Sequence, residues 1–222
     1  MVTNHYTKQM KHFLATNKLL KYTEIVALFV VTPIVLFLSI SIIAKITCVL
    51  LGVIYITLVS IFIEKFQKVK LAKTLKNKAL KHIAFRFFII AFLTIGILYI
   101  QNKEALFNVM LTKPTLWLKF SGIYILFSVI PQELIYRTFF VKRYQELIKN
   151  KVVFLLINAV LFSFAHIWFR SELVLLFTFV GSLLFTNTYL QTKSIRLVIL
   201  EHSLYGVWLY TVGYGALFMF PT

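Results

Sequence analysis

The chain is short of acids. It contains no Asp, and its seven Glu (Glu24, Glu64, Glu104, Glu133, Glu146, Glu172 and Glu201) stand against 24 Lys and Arg, a formal net charge of +17 over 222 residues. Charge of either sign is scarce: 14% of residues are charged, where a soluble domain carries about 25%. One cysteine, Cys48, excludes an internal disulfide and a cysteine-rich metal centre. With only seven Gly and four Pro, no Gly/Ser/Pro linker, low-complexity tract or internal repeat divides the chain. Apolar residues fill it instead. They make up 60%, including 23 Phe, 11 Tyr and 3 Trp, and the mean hydropathy is +0.86. A soluble fold, at about 45–50% apolar, is excluded. The expectation is one all-α polytopic membrane helical bundle.

A spanning helix needs about 20 predominantly apolar residues. Seven stretches qualify: 25–44, 46–63, 83–100, 116–141, 152–168, 173–190 and 197–220, with a very short turn at Lys45 between the first two. The N-terminus does not read as a cleavable signal peptide, because its apolar run is too long and no small-residue cleavage site follows. Lys and Arg collect on the cytoplasmic side. With the N-terminus inside, 19 of the 24 basic residues fall on that side, and Lys45, Lys103, Lys113, Lys119 and Arg170 fall outside. Seven helices, N-terminus in and C-terminus out, satisfy that bias.

The chain divides accordingly into a basic cytoplasmic segment (1–24), the first membrane helices (25–115) and a core (116–222) that holds the residues discussed next. Within the middle part, the stretch 64–82 is densely basic. Its apolar residues Phe66, Val69, Ala72, Leu75 and Ala79, with Ile83 after them, recur at helical spacing. It reads as a helix lying on anionic lipid at the inner surface, with no nucleic-acid partner.

Ionisable groups inside a span cost a few kcal/mol and usually mark function. Five of the Glu sit at span ends or in loops, where solvent reaches them. Glu133 and Glu201 do not, and His166 and His202 also fall inside apolar runs. Glu133 and Arg137 are four apart on one helical face, in the favourable order, and Pro131 removes a backbone hydrogen bond just before them. Asn158, Phe162 and His166 share a face of the next helix, and Tyr205 follows His202 by about one turn. If the helix carrying Glu133 continues to a turn near Asn150, Glu133 and His166 lie about 25 Å and about 24 Å from it and come side by side. His202, six residues after Arg196, lies about 9 Å below the inner surface. A Glu–Arg pair can be a packing lock, and a membrane histidine a helix–helix hydrogen-bond partner. Two Glu, two His and an Arg at one depth point to chemistry. Gly181, Ser182, Gly206, Gly213 and Gly215 read as close-packing positions.

The three motif-bearing helices resemble the CAAX-processing and bacteriocin-processing (CPBP or Abi) intramembrane proteases, whose signature is EExxxR, then FxxxH, then HxxxN. The counterparts are Gln132-Glu133 to Arg137, Phe162 to His166, and His202 to Gly206, within about 116–212. The resemblance implies hydrolysis of a peptide bond in a peptide or membrane-protein substrate, by water that Glu and His activate, with a second His at the oxyanion and no cofactor. It also implies a multi-pass protein of a bacterial cell membrane. Two positions depart from the signature. Gln132 replaces the first Glu and cannot accept a proton, and Gly206 replaces Asn. The expected compensation is that Glu201, next to His202, supplies the carboxylate, and that Tyr205 or Gln132 supplies the missing donor. Catalytic zinc, held by the two His and one or two Glu, is the cofactor alternative. The functional alternatives are a non-catalytic scaffold, immunity or regulatory protein on the same fold, and a small proton-coupled transporter.

Overall fold

The computed structural model of the protein describes Met10, residues 12–64 and residues 72–221. His5, Lys8, Lys11 and the start of the basic stretch, 65–71, lie outside the described residues. Among those described there is no strand, and six helices are long and apolar enough to cross a membrane. They are α1 (Lys18–Phe37), α2 (Ile42–Glu64), α3 (Lys73–Ala105), α4 (Pro114–Tyr144), α5 (Lys151–Phe169) and α6 (Glu172–Thr192). A seventh helix, α7 (Ile195–Leu209), continues as a wide turn over Tyr210–Tyr214. The protein is an all-α polytopic bundle.

Three boundaries differ from expectation. The turn between α1 and α2 lies at 38–41, not at Lys45: Leu38 is extended, and the Ser41 hydroxyl caps α2 by accepting from the Ala44 N–H at 3.3 Å. The described part of the basic stretch is no separate surface helix, because Lys73–Asn102 is one continuous helix of 30 residues. No Gly or Pro interrupts its first turns, and at 1.5 Å per residue it is about 45 Å long, so its basic end outreaches a hydrocarbon layer about 30 Å thick. The seventh stretch ends early. Gly213 adopts φ 128°, and a Cβ there would fall on the Ala105 carbonyl oxygen. Only glycine turns the chain there, and the tight turn Gly215–Phe218 follows.

Pro33 and Pro131 are each preceded by one widened turn, over Ala27–Val31 and Ile125–Val129. In these, Thr32 N–H reaches Ala27 O and Ile130 N–H reaches Ile125 O, five residues back. A proline ring clashes with the carbonyl four residues before it, and the wider turn keeps the helix running past the clash. α4 thus carries Glu133 and Arg137 onward to Tyr144 without a break.

The core where α1, α4 and α5 meet is aromatic. Phe29 meets Tyr136, Phe140 and Tyr144 edge-on at 5.2, 5.0 and 6.1 Å between centroids, and Tyr136 meets Phe162 at 5.0 Å. Outside, Ile43 and Leu51 of α2 and Phe88, Phe92 and Ile100 of α3 stay exposed, the reverse of a soluble fold. Glu24, expected in solvent, is buried instead. Its carboxylate pairs with Arg143 of α4 at 2.8 Å and accepts from the Tyr55 and Tyr144 hydroxyls. Arg143 also pairs with Glu64 at 3.0 Å and donates to Leu14 O at 2.7 Å. The extension of α4 carries Arg143 beneath the ends of α1 and α2, and its charge draws both acids inward.

Candidate active site

Glu133 is fully buried in α4, between the wide turns Ile125–Val129 and Leu134–Phe139. Its Oε1 accepts the Nδ1–H of His202 on α7 at 2.7 Å. Its Oε2 lies 3.1 Å from Arg137 Nε, an ion pair without the alignment of a hydrogen bond. Arg137 is also fully buried. Its Nη2 donates to Ser182 Oγ at 3.1 Å, and the guanidinium carbon lies 4.5 Å from the Phe162 ring centre and 5.4 Å from that of Phe185. Ser182 and Thr186 both donate to Asn158 Oδ1, at 3.2 and 2.7 Å, and Asn158 Nδ2 donates to Tyr136 O at 3.1 Å. One polar network therefore joins α4, α5, α6 and α7. Ser182, expected as a small packing residue, is a hydrogen-bonding member of it.

Beside the network lies a cavity of about 620 Å³. His166, His202, Gln132, Tyr124, Tyr205 and Gly206 are on its wall, and most of the remainder is apolar. Helix α5 loses regular α geometry after Phe164, so His166 sits at the start of a tight turn, and its Nδ1 lies 2.7 Å from Phe162 O. A carbonyl only accepts, so the proton is assigned to Nδ1; the Glu133 carboxylate imposes the same tautomer on a neutral His202. Whenever either ring is neutral, this tautomer leaves its Nε2 as an acceptor. The Phe162 ring lies 4.9 Å from that of His166 and 5.9 Å from that of His202, while Phe185 stacks on His202 at 4.5 Å. Glu133 thus contacts both Arg137 and His202, and His166 lies on the same cavity wall as His202.

Glu201 is turned elsewhere. It is fully buried but absent from the cavity wall. Its Oε1 lies 3.2 Å from Arg86 Nη1 of α3 and accepts from the Tyr205 hydroxyl at 3.1 Å. Neighbouring helix residues diverge by about 100°, and with His202 facing Glu133 this directs Glu201 toward α3. The Tyr205 hydroxyl follows it, also reaching Ile83 O at 3.2 Å. Gln132 faces the cavity and donates from Nε2 to Ser128 Oγ at 2.9 Å, with no partner for Oε1 among the described residues. A Cβ at Gly206 would fall on the Tyr124 hydroxyl. Sequence reasoning missed Tyr124, because one tyrosine among eleven in an apolar chain carries no signal. It also took Arg86 only as an orientation charge. Among the described residues no group of three or more His, Cys, Asp or Glu is arranged to hold a metal.

Residues 114–208 match the family described as type II CAAX prenyl endopeptidase Rce1-like. This stretch is of the CPBP/Abi family. The matched residues run from the start of α4 into α7 and include all three motifs, so the CPBP assignment and the polar network cover the same helices. No curated protein and no solved structure gives a match. At family level, the CPBP assignment supports a CAAX-type intramembrane protease.

Proposed function

We propose that the protein hydrolyses a peptide bond of a peptide or membrane-protein substrate within the membrane, using a water activated by the Glu133–His202 pair. One observation carries this reading: the 2.7 Å contact from His202 Nδ1 to Glu133, which leaves the opposite ring nitrogen on a cavity-lining residue. His202 Nε2 takes a proton from water as the water oxygen attacks the scissile carbonyl carbon. The carbon–nitrogen bond then breaks, and the same proton passes to the leaving amine, so the products are one carboxylic acid and one amine. Glu133 touches neither water nor substrate. It is a positioning residue that orients the imidazole and balances the imidazolium charge, while Arg137 pairs with its other oxygen. His166, its Nε2 also an acceptor, is a second holder for water. Arg137, Gln132 and Tyr205 are supporting residues, and Glu201, bound to Arg86 and Tyr205, is assigned to packing of α7 on α3. No cofactor is required by this chemistry.

The largely apolar wall suits an apolar substrate segment. The cytoplasmic N-terminus, the bacterial cell membrane and the anionic lipid at the basic end of α3 belong to the same proposal. Quantitative peptidomics of cells carrying wild type or Glu133→Gln at matched abundance tests it. Peptides that vanish in Glu133→Gln and in His202→Ala support hydrolysis, with a loss on the order of 10³-fold or more for a carboxylate that orients a catalytic histidine. An unchanged peptide inventory, with a phenotype retained in both variants, supports the second reading. That reading, a non-catalytic partner-binding protein, is favoured by the absence of any carboxylate from the cavity wall among the described residues.

A further inference from the structure

Hydrolysis converts the scissile carbonyl oxygen into an oxyanion, and a water-poor site must meet it with a hydrogen-bond donor. The polar groups of the cavity wall are largely committed. His166 and His202 spend their Nδ1–H groups on Phe162 O and Glu133. Gln132 donates to Ser128, and the Tyr205 hydroxyl is held by Ile83 O and Glu201. The hydroxyls of Thr94 and Thr178 donate to carbonyls of their own helices, each at 2.7 Å.

Three wall residues with a donor group, Tyr124, Tyr136 and Trp168, make no side-chain hydrogen bond among the described residues. Tyr124 differs from the other two in its place beside His202 and Gly206. The hydroxyl occupies the place where a side chain at position 206 would begin, four residues after His202 on α7. Its ring meets His202 edge-on at 6.1 Å between centroids and Phe220 at 5.3 Å, which hold it from two sides. Gly206 lies within the regular part of α7, where glycine is a poor helix former. Space for the Tyr124 hydroxyl and the ring edge that carries it, not backbone freedom, explains glycine there. We propose that the Tyr124 hydroxyl is the oxyanion donor of this site and that Gly206 makes room for it. The phenol keeps its proton throughout and contributes one hydrogen bond, which strengthens as charge develops on the carbonyl oxygen.

This inference rests on the hydrolytic reading above, and one experiment separates the two. Peptides whose formation requires Glu133 are identified by mass spectrometry in wild-type cells, and one is synthesised as the substrate for purified protein in detergent. Tyr124→Phe, which keeps the ring, is expected to lower kcat by about 10²–10³-fold, as removal of one oxyanion donor does elsewhere, with KM and the unfolding midpoint unchanged. Gly206→Ala is expected to lower kcat by displacing the Tyr124 ring and hydroxyl. Wild-type kcat in Tyr124→Phe overturns the assignment and leaves the hydrolytic reading intact. Absence of any Glu133-dependent peptide overturns both.

Discussion

The two buried acids of the matched helices differ in their surroundings, and that difference separates their roles. Glu133 accepts from His202, a residue of the cavity wall, whereas Glu201 faces Arg86 and Tyr205. Glu201→Gln is therefore expected to retain kcat while lowering the unfolding midpoint, because Arg86 loses its charged partner. Cleavage assays with both variants at matched abundance check this, and loss of kcat in Glu201→Gln with an unchanged midpoint returns the carboxylate role to Glu201. Much of this site was legible in sequence. The four-residue spacing of Glu133 and Arg137, and an acid or histidine in an otherwise apolar run, needed no coordinates. Tyr124 and the orientation of Glu201 were hidden, because each depends on which neighbouring helix a side chain meets.

At the scale of elements, α4 does most to organise the molecule. Its widened turn before Pro131 keeps it continuous, so Glu133 and Arg137 stand in the polar network while Arg143, further along, engages α1 and α2. Arg143→Met leaves Glu24 buried without its cation, a loss worth about 3–5 kcal/mol when one partner of a buried pair is removed. Unfolding in detergent is the measurement, and the Glu24→Gln plus Arg143→Met double variant is expected to lose less than Arg143→Met alone. A double variant as unstable as the sum of the single ones ends this account. The helices themselves were legible from apolar length, but their ends were not. Ser41 and Gly213 decided two of them through a hydroxyl cap and a left-handed backbone, local events that hydropathy averages over.

For the whole molecule, orientation is the consequence of charge. Three of the five basic residues assigned outside, Lys103, Lys113 and Lys119, lie at or near the α3–α4 connection, while the first turns of α3 carry Lys73, Lys76, Lys78 and Lys81. With Cys48 replaced by Ser, a cysteine at position 103 is expected to react with a membrane-impermeant maleimide on intact cells, and one at position 76 only after permeabilisation. The opposite pattern inverts the topology.

Composition and spacing by themselves determined that this chain is a membrane bundle, and which acids, histidines and arginine could carry chemistry. Apolar length and the energetic cost of burying charge are properties each segment has alone. Tertiary structure decided which of those groups meet. Glu133 and His202 are separated by 69 positions in sequence, as are Glu24 and Arg143 by 119, and such contacts depend on helix rotation and on where turns fall. A rotation of about 100° per residue separates His202 from Glu201. Only the packing of α7 between α4 and α3 selects which of the two faces the Glu133 side and which faces Arg86.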